Sequence, residues 1–87
     1  MTRSEILKGI QYVFNEYLQI ESAITPEVDI TNELQLDSLE LLTLIVELEN
    51  HFLVAFEHGD EKDVKTIEDL IRLIEKSIIS QYGDSNG

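Results

Sequence analysis

The sequence predicts an all-α fold: a four-helix bundle with a long loop after the first helix and a short third helix. Three observations carry that expectation. Apolar residues recur at helical spacing in three separate stretches. Each stretch follows a hydroxyl or acidic residue with a second acid three positions on, the pattern of a capping box. Eighty-seven residues with 43% hydrophobic content supply one core and leave no room for a second domain.

Thr2-Arg3-Ser4-Glu5 opens the first helix, expected from residue 3 to about residue 19. Ile6, Ile10, Val13, Phe14, Tyr17 and Leu18 form its apolar side, and Gly9 weakens it slightly. Residues 20–36 read as a loop. Pro26 disfavours helix at Thr25, and Asp29, Thr31 and Asn32 favour turns and caps. Ile24, Val28, Ile30, Leu34 and Leu36 read as apolar pegs tying the loop to the core. They do not read as a strand, because no pairing partner is evident.

The second helix begins at Asp37 or Ser38, with Asp37 capping and Glu40 completing the box. Two apolar stripes run along it. Leu41, Leu44, Ile45, Leu48 and Phe52 make one; Leu39, Leu42 and Val46 make another, centred roughly 130° away. Glu40 and Glu47 share a third side. One stripe meets the other helices; the second is either buried elsewhere or left as a docking strip beside carboxylates. Leu53 to Lys65 is polar and broken, with a turn at His58-Gly59-Asp60 and a short helical turn from Asp60 towards Val64. Thr66-Ile67-Glu68-Asp69 opens the last helix, with Ile67, Leu70, Ile71, Ile74 and Ile78 on its apolar side. Residues 1–80 are expected to form one domain and residues 81–87 a flexible tail.

Charge narrows the function. Six basic residues face eighteen acidic ones, for a net charge of −12. No Lys or Arg lies between Gly9 and Glu61, so the middle of the chain carries the whole imbalance. Such a surface repels nucleic acid and anionic membranes and steers basic protein surfaces towards it. The chain has no cysteine, no apolar run long enough to span a membrane and no apolar N-terminal leader, so a cytoplasmic location is expected.

Enzymatic patterns are poor. Ser38 has no Gly-x-Ser-x-Gly elbow around it, and His51 lies about 20 Å further along the helix. Both His51 and His58 read as surface or boundary residues. Asp29 to Glu40 places oxygen-bearing side chains at positions 1, 3, 5, 9 and 12 of an EF-hand loop, but Leu34 occupies the sixth position, where the turn needs glycine. No dedicated metal site is expected. An acidic helical interaction module or a calcium-responsive module remains the reading of a different class.

Leu34-x-Leu36-Asp37-Ser38-Leu39-Glu40, leading into the helix through Phe52, resembles the acyl carrier protein family. Thr66-Ile67-Glu68-Asp69-Leu70 is similar to the start of that family's last helix. The resemblance covers most of the chain, to about Ile79. It implies that Ser38 is the attachment site for 4′-phosphopantetheine, moved from coenzyme A by a phosphopantetheinyl transferase. It implies a free-standing carrier, itself not an enzyme, that shuttles acyl groups as thioesters in fatty acid, polyketide or related biosynthesis. An aminoacyl or D-alanyl-type carrier is the alternative within the family.

The same resemblance makes Asp37 a supporting residue for the transferase. It makes Leu39, Glu40, Leu42, Val46 and Glu47 the face for partner enzymes with basic docking patches, on a protein expected to be a monomer. Two departures stand at the motif. The family usually has glycine three residues before the serine, where this chain has Gln35, and Leu36 is bulkier than is common. The segment from Phe52 to Val64 is less family-like, and Val54, Phe56 and Val64 either line an acyl pocket or are plain core.

Overall fold

A computed structural model describes residues 1–57 and 59–83, and in it all three capping sequences begin α-helices. Helix α1 spans Arg3–Tyr17, α2 spans Ser38–Phe52 and α3 spans Ile67–Tyr82. Each box closes in both directions. At α1, Glu5 N–H donates to Thr2 Oγ1 at 3.1 Å and Thr2 N–H donates to the Glu5 carboxylate at 2.8 Å. Asp37 with Glu40 and Thr66 with Asp69 repeat the arrangement. These bonds satisfy donors that a helix start otherwise leaves unpaired.

The core forms where the three apolar faces meet. Ile6, Ile10, Val13 and Phe14 are buried from α1, Leu44, Ile45, Leu48 and Phe52 from α2, and Ile67, Leu70, Ile71 and Ile74 from α3. Helix α1 packs on both of the others. Gly9 permits that contact: a Cβ built there would lie 2.4 Å from Phe52 Cζ and 3.0 Å from His51 Nε2. Its role is close approach, at some cost in helix propensity. Helix α1 ends earlier than its pattern suggests. Leu18 is the C-cap and Gln19 turns the chain at φ +59°, which leaves Tyr17 exposed.

The long loop has the pairing partner that its sequence did not reveal. Ile30 N–H donates to the Lys65 carbonyl at 2.8 Å and Ile67 N–H donates to the Val28 carbonyl at 3.0 Å, making an isolated antiparallel bridge between Asp29 and Thr66. Glu68 N–H adds a bond to the Pro26 carbonyl at 2.9 Å. The pegs behave as read: Ile24 and Ile30 are buried, and Val28, Leu34 and Leu36 are half-buried against the core. Gln11 of α1 holds the start of the loop, accepting from Ile24 N–H at 2.7 Å and donating to the Ser22 carbonyl at 3.0 Å.

The short third helix is a single 3-10 turn, Asp60–Asp63, so the described residues contain three α-helices rather than four. Its sequence, Asp-Glu-Lys-Asp, has no apolar residue to bury, and nothing holds it as an α-helix. Gly59, at φ +94°, is its N-cap; Asp60 instead accepts from Glu57 N–H at 3.0 Å. His58 lies outside the described residues. Val54 and Val64 are buried and Phe56 is half-buried against the same cluster, which makes them core.

The C-terminal end is better anchored than a tail beginning at residue 81. The Gln81 amide exchanges two bonds with the Ala55 backbone, at 3.0 and 2.8 Å, and Tyr82 Oη donates to the Leu53 carbonyl. Helix α3 therefore continues through Tyr82, and the remainder of the expected tail, residues 84–87, lies outside the described residues. Among the described residues no helix is long and apolar enough to cross a membrane.

Asp69 ties the bridge to the start of α3. Its carboxylate accepts from Lys65 N–H at 3.0 Å and from Thr66 N–H at 3.1 Å. Those bonds, the one from Lys65 foremost, hold its carboxyl below the usual aspartate range although partial burial pushes the other way. A depressed folded pKa stabilises the fold fully above the unfolded value, about 3.9, and the contribution is lost as pH falls through the folded one. Asp69→Ala is expected to lower stability to urea by about 1–2 kcal/mol at neutral pH. The gap between wild type and variant should narrow as pH falls below about 4. A gap that stays constant into strong acid would remove Asp69 from this role.

Candidate attachment site and docking face

The site starts with a backbone irregularity. Gln35 has φ +54°, in the left-handed region that a residue without a Cβ adopts freely. Gln35 thus holds, with a side chain, a conformation that glycine adopts without cost. The turn delivers Leu36, half-buried against the core, and then Asp37 in extended conformation at φ −84°, ψ 178°. Asp37 Oδ1 accepts from Glu40 N–H at 2.7 Å, and Glu40 Oε1 accepts from Asp37 N–H at 3.1 Å. Ser38 follows as the first residue of α2, exposed to solvent. The N–H groups of Ser38 and Leu39 have no partner among the described residues, so the helix start offers donors beside the hydroxyl.

Behind the serine, α2 uses its two apolar stripes differently. Leu44, Ile45, Leu48 and Phe52 are buried, with Leu41 half-buried against them. Leu39, Leu42 and Val46 are 71%, 57% and 43% exposed. The second stripe is thus a solvent-facing apolar strip. Glu40 and Glu47 lie on the third side of the helix. The ion pairs among the described residues lie elsewhere: Arg3 with Glu68 and with Glu75, and Arg72 with Glu68. Glu40 also has the structural duty that the capping pattern implies: its carboxylate closes the cap. Glu49, between the two stripes, accepts from Phe56 N–H at 2.8 Å and so fixes the segment after α2.

In the EF-hand-like run the first and ninth positions are engaged in local bonds. Asp29, its first position, accepts from Asn32 N–H at 2.7 Å and Asn32 Nδ2 at 3.0 Å, with the Asn32 backbone bond chiefly holding its carboxyl below the ordinary range. Asp37, its ninth position, caps α2. Among the described residues no three His, Cys, Asp or Glu side chains cluster as metal ligands. His51 is exposed and stacks on Tyr12 with ring centroids 5.3 Å apart, away from the motif in sequence.

One residue outside the motif joins the site. A groove between the first turns of α2 and the 3-10 turn is lined by Ser38, Leu41, Leu42, Glu61 and Lys62. The sequence contained a signal for it: Lys62 is the first basic residue after Lys8. Linear spacing could not show that it returns to the serine.

Residues 9–74 match the phosphopantetheine attachment site family. The acyl carrier protein of Rubrobacter xylanophilus is 36% identical over 72 residues, covering 82% of this chain and 89% of that protein. The acyl carrier protein of Coprothermobacter proteolyticus is 32% identical over 84 residues, covering 93% of this chain and all of the relative. A solved acyl carrier protein structure from Mycobacterium tuberculosis superposes with a TM-score of 0.69 at 30% identity, covering 85% of this chain and 95% of that one. The chain belongs to the acyl carrier protein family, within the phosphopantetheine attachment-site class. It is accordingly a carrier and not a catalyst, and its cofactor is 4′-phosphopantetheine.

Gln35 provides a direct test of the turn that presents Ser38. Gln35→Val puts a β-branched residue at positive φ and is expected to cost about 1–2 kcal/mol in urea denaturation. Gln35→Gly relieves the Cβ contact at the expense of unfolded-chain entropy and should lose no stability. If valine is tolerated as well as glycine, the left-handed turn does not constrain the motif.

Proposed function

We propose that Ser38 carries the 4′-phosphopantetheine and that the protein is a free-standing acyl carrier for fatty acid, polyketide or related biosynthesis. The observation that carries the assignment is the position of Ser38: an exposed hydroxyl on the first turn of α2, beside unpaired helix-start donors and inside the segment that matches the attachment-site family. Bound there, the arm supplies the thiol that holds an acyl group as a thioester, in a chain with no cysteine of its own.

The residues around Ser38 prepare it for that use. Asp37 and Glu40 lock the helix start, so the hydroxyl stands in one place for the transferase. Leu39, Leu42 and Val46 give partner enzymes an apolar strip of small area, which suits contacts that must form and release. Glu40 and Glu47, on a chain of net charge −12, speed encounter with basic surfaces. The protein acts as a monomer, each partner taking the strip in turn.

Incubation with coenzyme A and a broad-specificity phosphopantetheinyl transferase is expected to add the mass of one phosphopantetheine, and Ser38→Ala to abolish the addition. Absence of modification with several transferases would sink the assignment. The docking face has its own readout with the same transferase. Leu42→Ser and Glu47→Lys should each raise KM for the carrier roughly three- to tenfold with little change in kcat, at unchanged helicity. Unaltered KM in both would show that the face is not used. Glu47 is the better acid to change, because replacing Glu40 also opens the cap.

A further inference from the structure

We infer that Lys62 is a positioning residue for the root of the arm: its ammonium group is the local counter-charge for the phosphodiester on Ser38. The inference rests on the assignment of Ser38 and goes beyond it. Three observations support it.

Lys62 and Ser38 line the same groove, whose other residues are Leu41, Leu42 and Glu61. A phosphodiester on Ser38 Oγ therefore sits at the edge of a site with two aliphatic side chains, one carboxylate and one ammonium. It carries one negative charge at neutral pH, and it joins a chain whose net charge is already −12. The other charges along the start of α2, Asp37 and Glu40, are of the wrong sign to receive it.

Lys62 is available for that role. Among the described residues the ion pairs are made by Arg3 and Arg72, and Lys62 makes none. It is exposed, on a flexible stem of four methylenes, so it can swing towards a phosphate without breaking an existing bond. The 3-10 turn that carries it contributes no buried residue to the core, so the turn's acids and its lysine face the surroundings and not the packing.

The position is also particular. No other Lys or Arg occurs from Gly9 to Glu61, so the loop, the motif and the whole of α2 lack a cation of their own. The groove brings one back from beyond that segment. The two unpaired N–H groups at the start of α2 supply dipoles to the phosphate, and Lys62 supplies a full charge from the opposite wall.

A cycle in which the arm is one change and the side chain the other isolates the interaction. Wild type, Lys62→Gln, Lys62→Arg and Glu61→Gln are each prepared without and with the arm, and intact mass confirms loading. Melting temperatures are measured at low salt and at high salt. The quantity read is the change in Tm on adding the arm, so any effect of a substitution on the bare fold cancels.

Lys62→Gln should make that change more negative than in wild type by about 1–4 °C at low salt. High salt should erase the difference, Lys62→Arg should behave as wild type, and Glu61→Gln should shift the change in the opposite sense. Equal changes in wild type and Lys62→Gln at low salt would overturn the inference while leaving the attachment at Ser38 intact. A protein that takes up no arm would fail at the mass measurement, which separates that failure from this one.

Discussion

The short backbone bridge between Asp29 and Thr66 is the constraint on which the site depends. A connection of some twenty residues separates α1 from α2, and ordering it costs conformational entropy that its apolar pegs and the bridge together offset. The bonds from Ile30 to Lys65 and from Ile67 to Val28 fasten the middle of that connection to the entrance of α3. Asp69 then accepts N–H groups from both Lys65 and Thr66, so one carboxylate finishes the bridge and starts the last helix. From this fixed point only seven residues lead to Ser38, and they include the left-handed turn at Gln35 and the cap at Asp37. The serine is exposed, but its backbone is held from both directions.

The same economy explains why α2 can leave an apolar strip in water. Helix α1 covers one side of it and Gly9 lets the two helices approach closely, so Leu44, Leu48 and Phe52 give the bundle the burial it needs. Fully burying a leucine or valine is worth about 1.5–3 kcal/mol, and the fold forgoes most of that at Leu39 and a smaller share at Leu42 and Val46. These side chains share a helix with the candidate serine and keep constant register to it. Under the proposed assignment, a partner covering them meets the arm at a fixed place along the helix axis.

Most of this was legible in the sequence because it is local. Capping boxes are four-residue patterns, and all three formed. Helical periodicity resolved two apolar stripes on α2 while leaving open which one meets water, and the motif around Ser38 pointed to the family. What failed to show was long-range or depended on burial. The bridge joins positions far apart in sequence through backbone atoms alone, so no side-chain pattern announces it. The short helical turn expected from Asp60 towards Val64 did form, but as 3-10 with Gly59 as its cap, because its four residues are all charged and cannot pack. The anchoring of Gln81 and Tyr82 depends on where the segment after α2 runs, which linear spacing does not give. Tyr17 has the right spacing for the core, yet α1 ends there and the chain turns before the ring can be covered.

The charges complete the division of labour between the helices. Arg3 bridges Glu68 and Glu75, and Arg72 pairs with Glu68, so cations at the two ends of the chain are spent on the surface of α3 and its junction with α1. Surface pairs of this kind add little stability, typically under about 1 kcal/mol each. Their larger consequence is where charge remains unbalanced. The surface of α3 is partly neutralised, whereas α2 and the loop before it contain no Lys or Arg. Among the three α-helices, α2 has the largest uncompensated negative charge and also exposes the apolar strip, and a long-range field sets orientation before short-range contacts form. Under the proposed reading, electrostatics selects the approaching face and the apolar strip sets how long a partner stays.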